Sequence, residues 1–238
     1  MTTNKRKPNG YKRLLQDDNY KTVKGESLGW LTAIMYLAPA MSSGVLNVCL
    51  GATAWCIALC LNMAGMGRFR NVQAARVAKT MLLAGNRALF LACLRYDIGM
   101  YVRRAAKRGM RLAVRINGTS DLPWLAKEMA RSFPQVTFYD YTKLPKADLR
   151  QLPNYHLTYS YSGENLTESL RVLALGVNVA VVFHVRKGFP LPETWHGYRV
   201  IDGDLHDLRF LDPKGVVVGL RAKGLAINAD SPFIVLAS

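Results

Sequence analysis

Residues 111–121 read RLAVRINGTSD, a short β-type run that ends in a polar loop. The run predicts a strand at residues 111–116, and residues 121–133 have the composition and periodicity of a helix. Residues 136–141 predict a second strand. A strand, a helix and another strand in this order predict parallel pairing through a crossover, which is the repeating unit of α/β proteins.

The same alternation continues to the end of the chain. Strands are predicted at residues 155–161, 178–185, 198–201 and 216–220, and a helix at residues 165–175. N-terminal to residue 111, two helices are predicted at residues 71–86 and 87–108, and Gly109 is a helix stop signal. The order predicts an α/β sheet or barrel with a helical N-terminal portion.

Length, composition and charge bound the organisation of the chain. The 238 residues are half apolar, which predicts one domain at residues 26–238 behind a basic, flexible tail at residues 1–25. The net charge is +16, and residues 1–115 hold 19 Lys and Arg against four Asp and Glu. Such charge favours a polyanionic partner. Four cysteines are too few for a disulfide scaffold, and no apolar leader follows Met1, so a reducing cytoplasm is expected.

Cys49, Cys56 and Cys60 follow a C-x6-C-x3-C spacing inside residues 27–67, a stretch without a charged side chain. This pattern fits either a membrane span at residues 45–66 or a metal-binding loop. Arg68 and Arg70 follow the stretch as they would follow a span. Four glycines, Pro39 and the lack of a second hydrophobic segment disfavour the span, so no membrane partner is expected.

Thiolates at this spacing are typical ligands of zinc or of iron–sulfur clusters. Structural zinc sites usually use paired C-x2-C hooks, which this chain lacks. Three close thiolates suit a [4Fe–4S] cluster with one iron left open. Cys93 is either a fourth ligand or a buried core thiol, and the three cysteines themselves could instead be packed small hydrophobes.

Polar residues follow each predicted strand, where the ligand sites of parallel α/β proteins lie. These residues could also serve as helix caps and turn residues. Five consecutive polar strand ends favour a binding cavity. The residues predicted to line it are Asn117, Ser120, Asp121, Asp140, Lys143, Ser160 and Glu164.

With these motifs the chain resembles a family of small proteins that bacteriophages and plasmids encode. The proteins of this family are themselves similar to radical-SAM barrels. The resemblance covers most of the chain and rests on the Cys region and the Asn-Gly-Thr-Ser-Asp run, with further matches at residues 36–39, 71–80, 138–143 and 202–213. It implies a complete or partial (β/α) barrel with a Cys-bearing loop at its top. It also implies a [4Fe–4S] cluster on Cys49, Cys56 and Cys60, and a small ligand such as S-adenosylmethionine on the open iron. The C-x6-C-x3-C spacing differs from the C-x3-C-x2-C of familiar radical-SAM enzymes.

Two other functions remain open at this point. The alternative is a basic nucleic-acid-binding protein of phage or plasmid replication or host takeover, with a structural cluster, acting in the host cytoplasm. A divalent-metal nuclease using Asp202, Asp204, His206 and Asp207 is the third hypothesis. The phosphate contacts predicted for the nucleic-acid alternative are Arg68, Arg70, Arg76, Lys79, Arg103, Arg104, Lys107, Arg108 and Arg111, with Lys5, Arg6, Lys7, Lys12 and Arg13 of the tail.

Overall fold

The computed structural model describes residues 6–17, 23–60, 62 and 64–237. In this part of the chain, ten strands form a single, mostly parallel sheet. The strands are β1 (Leu15–Gln16), β2 (Trp30–Met35), β3 (Arg111–Arg115), β4 (Thr137–Thr142), β5 (Tyr155–Ser160), β6 (Val179–Phe183), β7 (Thr194–Trp195), β8 (Tyr198–Asp202), β9 (Val217–Arg221) and β10 (Ile234–Val235).

The α-helices lie between the strands. They are α1 (Ala54–Ala58), α2 (Arg70–Gly85), α3 (Arg87–Lys107), α4 (Pro123–Ser132) and α5 (Leu166–Ala174). The first three all fall between β2 and β3, whereas α4 and α5 each connect one strand to its parallel neighbour. Asn86 begins α3, since its side chain accepts a hydrogen bond from the Leu89 amide at 2.9 Å.

The strand order is β1-β2-β3-β4-β5-β6-β9-β8-β7, and β10 pairs with the end of β6. Seven consecutive strands from β2 to β8 are parallel, while β1 and β7 are antiparallel edge strands. The α/β class with parallel pairing is therefore confirmed. The pairing runs from one edge to the other without closing, so a partial barrel stays a prediction.

The two faces of the sheet bury different groups, as the alternation of side chains along a strand requires. Leu112, Val114 and Phe138 belong to the main core, together with residues of α3 and α4. Ala113 and Tyr139, one position along, form a second cluster with Trp30 and Leu208 on the opposite face. The helices therefore cover one face, which we call the outer face, and the chain after β8 covers the other, the inner face.

The predicted helical N-terminal portion contains α2 and α3, close to their predicted bounds, and also the strands β1 and β2, which the sequence analysis did not predict. All six residues of β2 are buried, and they lie within the uncharged stretch of the sequence. A strand buried on both faces is a continuous apolar run without alternation, so its pattern does not distinguish it from a loop or a span. Of the predicted tail, residues 6–17 are described, and they contain the edge strand β1.

The disfavoured alternative, a membrane span at residues 45–66, has no long helix to carry it among the described residues. Within the described part of residues 45–66, α-helix is limited to the five residues of α1. No helix among the described residues is both long and apolar enough to cross a bilayer.

Candidate functional site at the carboxyl ends of β3 and β4

The Cys-bearing loop is attached to the chain that follows β3. Cys49 forms an isolated parallel bridge with Asp121, whose backbone amide donates to the Val48 carbonyl at 2.7 Å. The Cys49 thiol donates to the Thr119 carbonyl at 3.5 Å. The sequence prediction that this loop lies near the Asn-Gly-Thr-Ser-Asp run therefore agrees with the geometry.

The same loop also contacts the end of β4. A Cβ atom added at Gly51 would lie 3.0 Å from the carbonyl carbon of Lys143, so only glycine allows this approach without movement. Two strand ends thus hold the segment that carries Cys49.

Cys56 and Cys60 are presented by the short helix α1 and the residues after it. Thr53 begins the helix, because its hydroxyl oxygen accepts a hydrogen bond from the Cys56 amide at 3.2 Å. Cys56 lies within α1, whereas Cys60 lies two residues beyond its end. The Asn62 amide donates to the Cys60 sulfur at 3.5 Å.

The electrostatics place the three thiols in one neighbourhood. The pKa of Cys49 is raised to about 11, chiefly by burial and to a smaller extent by the charges of the Cys60 and Cys56 thiolates. Burial also raises the pKa of Cys60, while Lys143 and Arg76 lower it. Among the described residues, however, no group of three or more His, Cys, Asp or Glu side chains is arranged to hold a metal ion.

Arg76 is a buried cation beside this cluster, with 9% of its surface exposed. Its guanidinium lies over the Tyr36 ring at 5.0 Å and donates to the Asn62 side chain. Its Nε has no hydrogen-bond partner, and no carboxylate of the described chain forms an ion pair with it. Burial lowers its pKa. A buried guanidinium without a carboxylate favours an anionic group nearby.

Four of the seven predicted cavity residues are buried and hydrogen bonded, in two separate groups. Asp140 accepts from the Asn117 backbone amide at 2.7 Å and from its side-chain amide at 2.9 Å, and Ser120 donates to the Asn117 side chain at 2.8 Å. Asp121 accepts from the Lys143 amide at 2.8 Å and from the Thr142 hydroxyl at 3.0 Å. These bonds join the ends of β3 and β4 and hold the loop on which Cys49 rests.

The other predicted cavity residues lie at different depths. Lys143 is half-buried and its charge acts on Cys49 and Cys60. Ser160 is buried at the end of β5, and its carbonyl accepts from the Asn165 side chain at 3.0 Å. Glu164 is exposed. A role of these seven residues in ligand binding stays a prediction.

The basic residues predicted to contact phosphate do not share one environment. Arg76 is buried, and the Lys79 ammonium donates to the Leu14 carbonyl at 2.8 Å. Arg104 pairs with Asp17, and Arg108 pairs with Glu26 at 2.6 Å. Arg104 and Arg108 are exposed despite their pairing, and the other exposed residues are Arg68, Arg70, Arg103, Lys107 and Arg111, with Arg6, Lys7, Lys12 and Arg13 of the tail. Lys5 lies outside the described residues.

The acidic residues of the nuclease hypothesis are held by cations. Asp202 and Asp204 both pair with Arg221, at 2.9 Å and 3.3 Å, and Asp204 also pairs with Lys223. Asp207 is buried on the inner face and pairs with Arg115 at 3.1 Å. Carboxylates engaged in this way are poor candidates for magnesium ligands.

Sequence reasoning missed the part of the site formed by Arg76, Tyr36 and Asn62. It placed Arg76 on a phosphate-binding surface because a lone arginine in a helical pattern is usually solvated. Tyr36 and Asn62 lie within the stretch that carries the resemblance, but nothing local indicates that either contacts Arg76. Only the packing of α2 against the Cys loop brings the three together.

A family model described as gene product 88 matches residues 6–235 of the chain. No curated protein matches it, and no solved structure does.

Proposed function

This chain belongs to the gene product 88 family, a phage-type protein family, and we propose that it is an iron–sulfur protein whose Cys49, Cys56 and Cys60 thiolates hold a [4Fe–4S] cluster. One observation carries the proposal. The Cys49, Cys56 and Cys60 thiols lie within 12 residues of sequence and act on one another electrostatically beside two cations, on a loop that is held at the carboxyl ends of two parallel strands.

The charges around the thiols support an anionic occupant. Lys143 lowers the pKa of both Cys49 and Cys60, and Arg76 also lowers that of Cys60. A cubane cluster held by three thiolates carries net negative charge, which would offset the buried guanidinium of Arg76. The electrostatic fit is therefore better for a thiolate-bound cluster than for a bare divalent cation.

Binding of the cluster requires the loop to adjust, because the thiols do not yet form a metal-ligand group. The segment that would move contains only the five-residue helix α1 and is surface-exposed at Trp55 and Ile57. Such a short helix has little stability of its own. Since ligands must lose their protons and preformed sites are rare, coupling between cluster binding and loop order is expected.

Three thiolates leave one iron for a small ligand. When bound, a cluster of this kind supplies one-electron transfer, and S-adenosylmethionine is the ligand implied by the radical-SAM resemblance. The chain would contribute the position of the ligand. Asn117, Ser120, Asp121, Asp140 and Lys143 lie around the attachment of the loop, while Ser160 and Glu164 lie further along the sheet. The reducing cytoplasm of a host would keep the thiols available.

Anaerobic purification with iron and sulfide counts tests the cluster. We expect about four irons per chain and a broad absorption band near 400 nm, as for a [4Fe–4S] centre. Cys49→Ser, Cys56→Ser and Cys60→Ser should each lose most of the iron. Cys93→Ser is the matched control, because Cys93 is fully buried in the main core, and it should keep the iron.

The result against the proposal is equally specific. If the three loop variants bind as much iron as the Cys93 variant, or if the unsubstituted protein is iron-free after anaerobic reconstitution with iron and sulfide, the cysteines are packing residues. Addition of S-adenosylmethionine to the reconstituted protein then tests the open iron separately, through a change in the electron paramagnetic resonance spectrum of the reduced cluster.

A further inference from the structure

A basic groove lies between the start of α3 and α4, away from the Cys loop. It encloses about 650 Å³ and is lined by Arg87, Trp124, Lys127, Glu128, Arg131 and Ser132. This volume is within the range of sites that bind small molecules or single nucleotides. Neither the cluster proposal nor the predicted phosphate contacts include any of these residues.

The groove carries uncompensated positive charge. Its one carboxylate, Glu128, is neutralised by Arg95 at 2.6 Å. Arg87, Lys127 and Arg131 form no ion pair with any carboxylate in the described part of the chain. Lys127 and Arg131 are four positions apart on α4, so their side chains lie on the same face of that helix.

The wall of the groove also contains an arginine, Arg87, that lies over the aromatic ring of Trp124. The guanidinium carbon of Arg87 lies 3.9 Å from the centre of the Trp124 ring. Trp124 also packs against the main hydrophobic core, which holds the indole in place. The exposed Arg87 is thus fixed with its planar group over the indole, at the wall of the groove.

We propose that this groove binds single-stranded nucleic acid. Lys127 and Arg131 contact the phosphates, and an unstacked base lies on the planar group of Arg87 that Trp124 supports. Bases that are free of a duplex stack on aromatic rings and on guanidinium planes, whereas a duplex offers only its backbone to a basic surface. The proposal goes beyond the cluster function and does not depend on it.

Fluorescence anisotropy with a labelled single-stranded oligonucleotide of about ten nucleotides tests the proposal. Arg87→Lys is the decisive variant, since lysine keeps the charge but lacks the planar group. We expect it to weaken binding at least about fivefold, as loss of one stacked base does. Binding by Arg87→Lys equal to that of the unsubstituted protein would falsify the stacking role.

Two charge-matched double variants distinguish binding in the groove from non-specific attraction to the positive charge of the whole protein. Lys127→Gln with Arg131→Gln should weaken binding and lower the slope of log K against log salt by about 1.4, because two phosphate contacts are lost. Arg186→Gln with Lys187→Gln removes the same charge from exposed positions after β6, which belong neither to the groove nor to the predicted phosphate contacts. This control should bind within about twofold of the unsubstituted protein, below the scale of one phosphate contact.

Three outcomes would overturn the proposal. They are equal losses in the groove variant and in the control variant, competition by polyglutamate as strong as that by the oligonucleotide, and tighter binding to a duplex of the same length. The first two would mean attraction between overall charges, and the third would mean that duplex backbone rather than an unstacked base is recognised. All variants change surface side chains, and circular dichroism verifies that each is folded.

Discussion

Asp140 is a carboxylic acid that lies at the end of β4 with 1% of its surface exposed. Burial raises its pKa to about 7, although three hydrogen bonds from Asn117 and Tyr155 favour its ionised form. Burial therefore outweighs both the hydrogen bonds and the nearby charge of Arg115. The charge state of Asp140 therefore changes near neutral pH. Because Asp140 binds Asn117, this change occurs where the loop after β3 is attached to β4.

Asp140→Asn tests that balance through the pH dependence of stability. The folded-state pKa is above the unfolded value, so the contribution of neutral Asp140 is complete below about pH 4 and is lost as pH rises through 7. A pKa displaced from 3.8 to about 7 corresponds to roughly 4 kcal/mol. As pH rises from 4 to 8, the free energy of unfolding measured with urea should fall by up to that much more in the unsubstituted protein than in Asp140→Asn. Parallel stability curves would contradict the prediction.

Strand β1 is a short element whose contribution to stability exceeds its length. Leu14 and Leu15 are fully buried, and both of their amides donate to one carboxylate oxygen of Asp97, at 2.7 Å and 3.0 Å. Asp97 lies on α3, so β1 joins the edge of the sheet to the outer layer of helices. Removal of the strand would expose apolar surface and leave the Asp97 carboxylate without these donors.

A truncation and a point variant measure this contribution. Removal of residues 1–17 should lower the free energy of unfolding by about 4 kcal/mol or more, the sum of two buried leucines and the lost donors. Lys12→Ala changes an exposed side chain beside the strand and should change the free energy of unfolding by less than about 0.5 kcal/mol. If the truncated protein melts at the same temperature as the full chain, the strand contributes nothing.

The inner face of the sheet is closed by one buried ion pair between segments that are distant in sequence. Arg115 at the end of β3 contacts Asp207 after β8, and the Tyr139 hydroxyl donates to the same carboxylate at 3.2 Å. The Arg115 guanidinium also lies 4.6 Å from the Tyr141 ring. This pair fixes the chain after β8 across the strands that begin the sheet, and so it decides how the two ends of the domain are arranged.

A double-mutant cycle shows how strongly the pair acts. Asp207→Asn should destabilise the fold by about 3–5 kcal/mol, because Arg115 stays buried with no countercharge. Arg115→Met combined with Asp207→Asn should recover part of that loss, since the unpaired charge is gone. Thermal unfolding of the two single variants and the double variant measures the coupling, and simple addition of the single effects would mean that the pair is unimportant.

The sequence by itself determined most of the elements after residue 70, although it did not predict the short strands β7 and β10. The strand predicted at residues 111–116 forms as Arg111–Arg115, the helix predicted at residues 165–175 forms as Leu166–Ala174, and the pairing is parallel. These features follow from the periodicity of apolar residues over a few positions, which is local information. A Cys-bearing loop near the strand ends was implied only by the family resemblance.

Only the tertiary structure decided which charges are buried and what they meet. Arg76 and Arg103 have similar helical surroundings in the sequence, yet Arg76 is buried beside Cys60 and Arg103 is exposed. Strand β2 was hidden in the uncharged stretch, and the groove beside Trp124 requires α3 and α4 to be neighbours. Each of these depends on contacts between residues far apart in the chain, and burial sets a side chain's charge state and partners in ways that local periodicity does not encode.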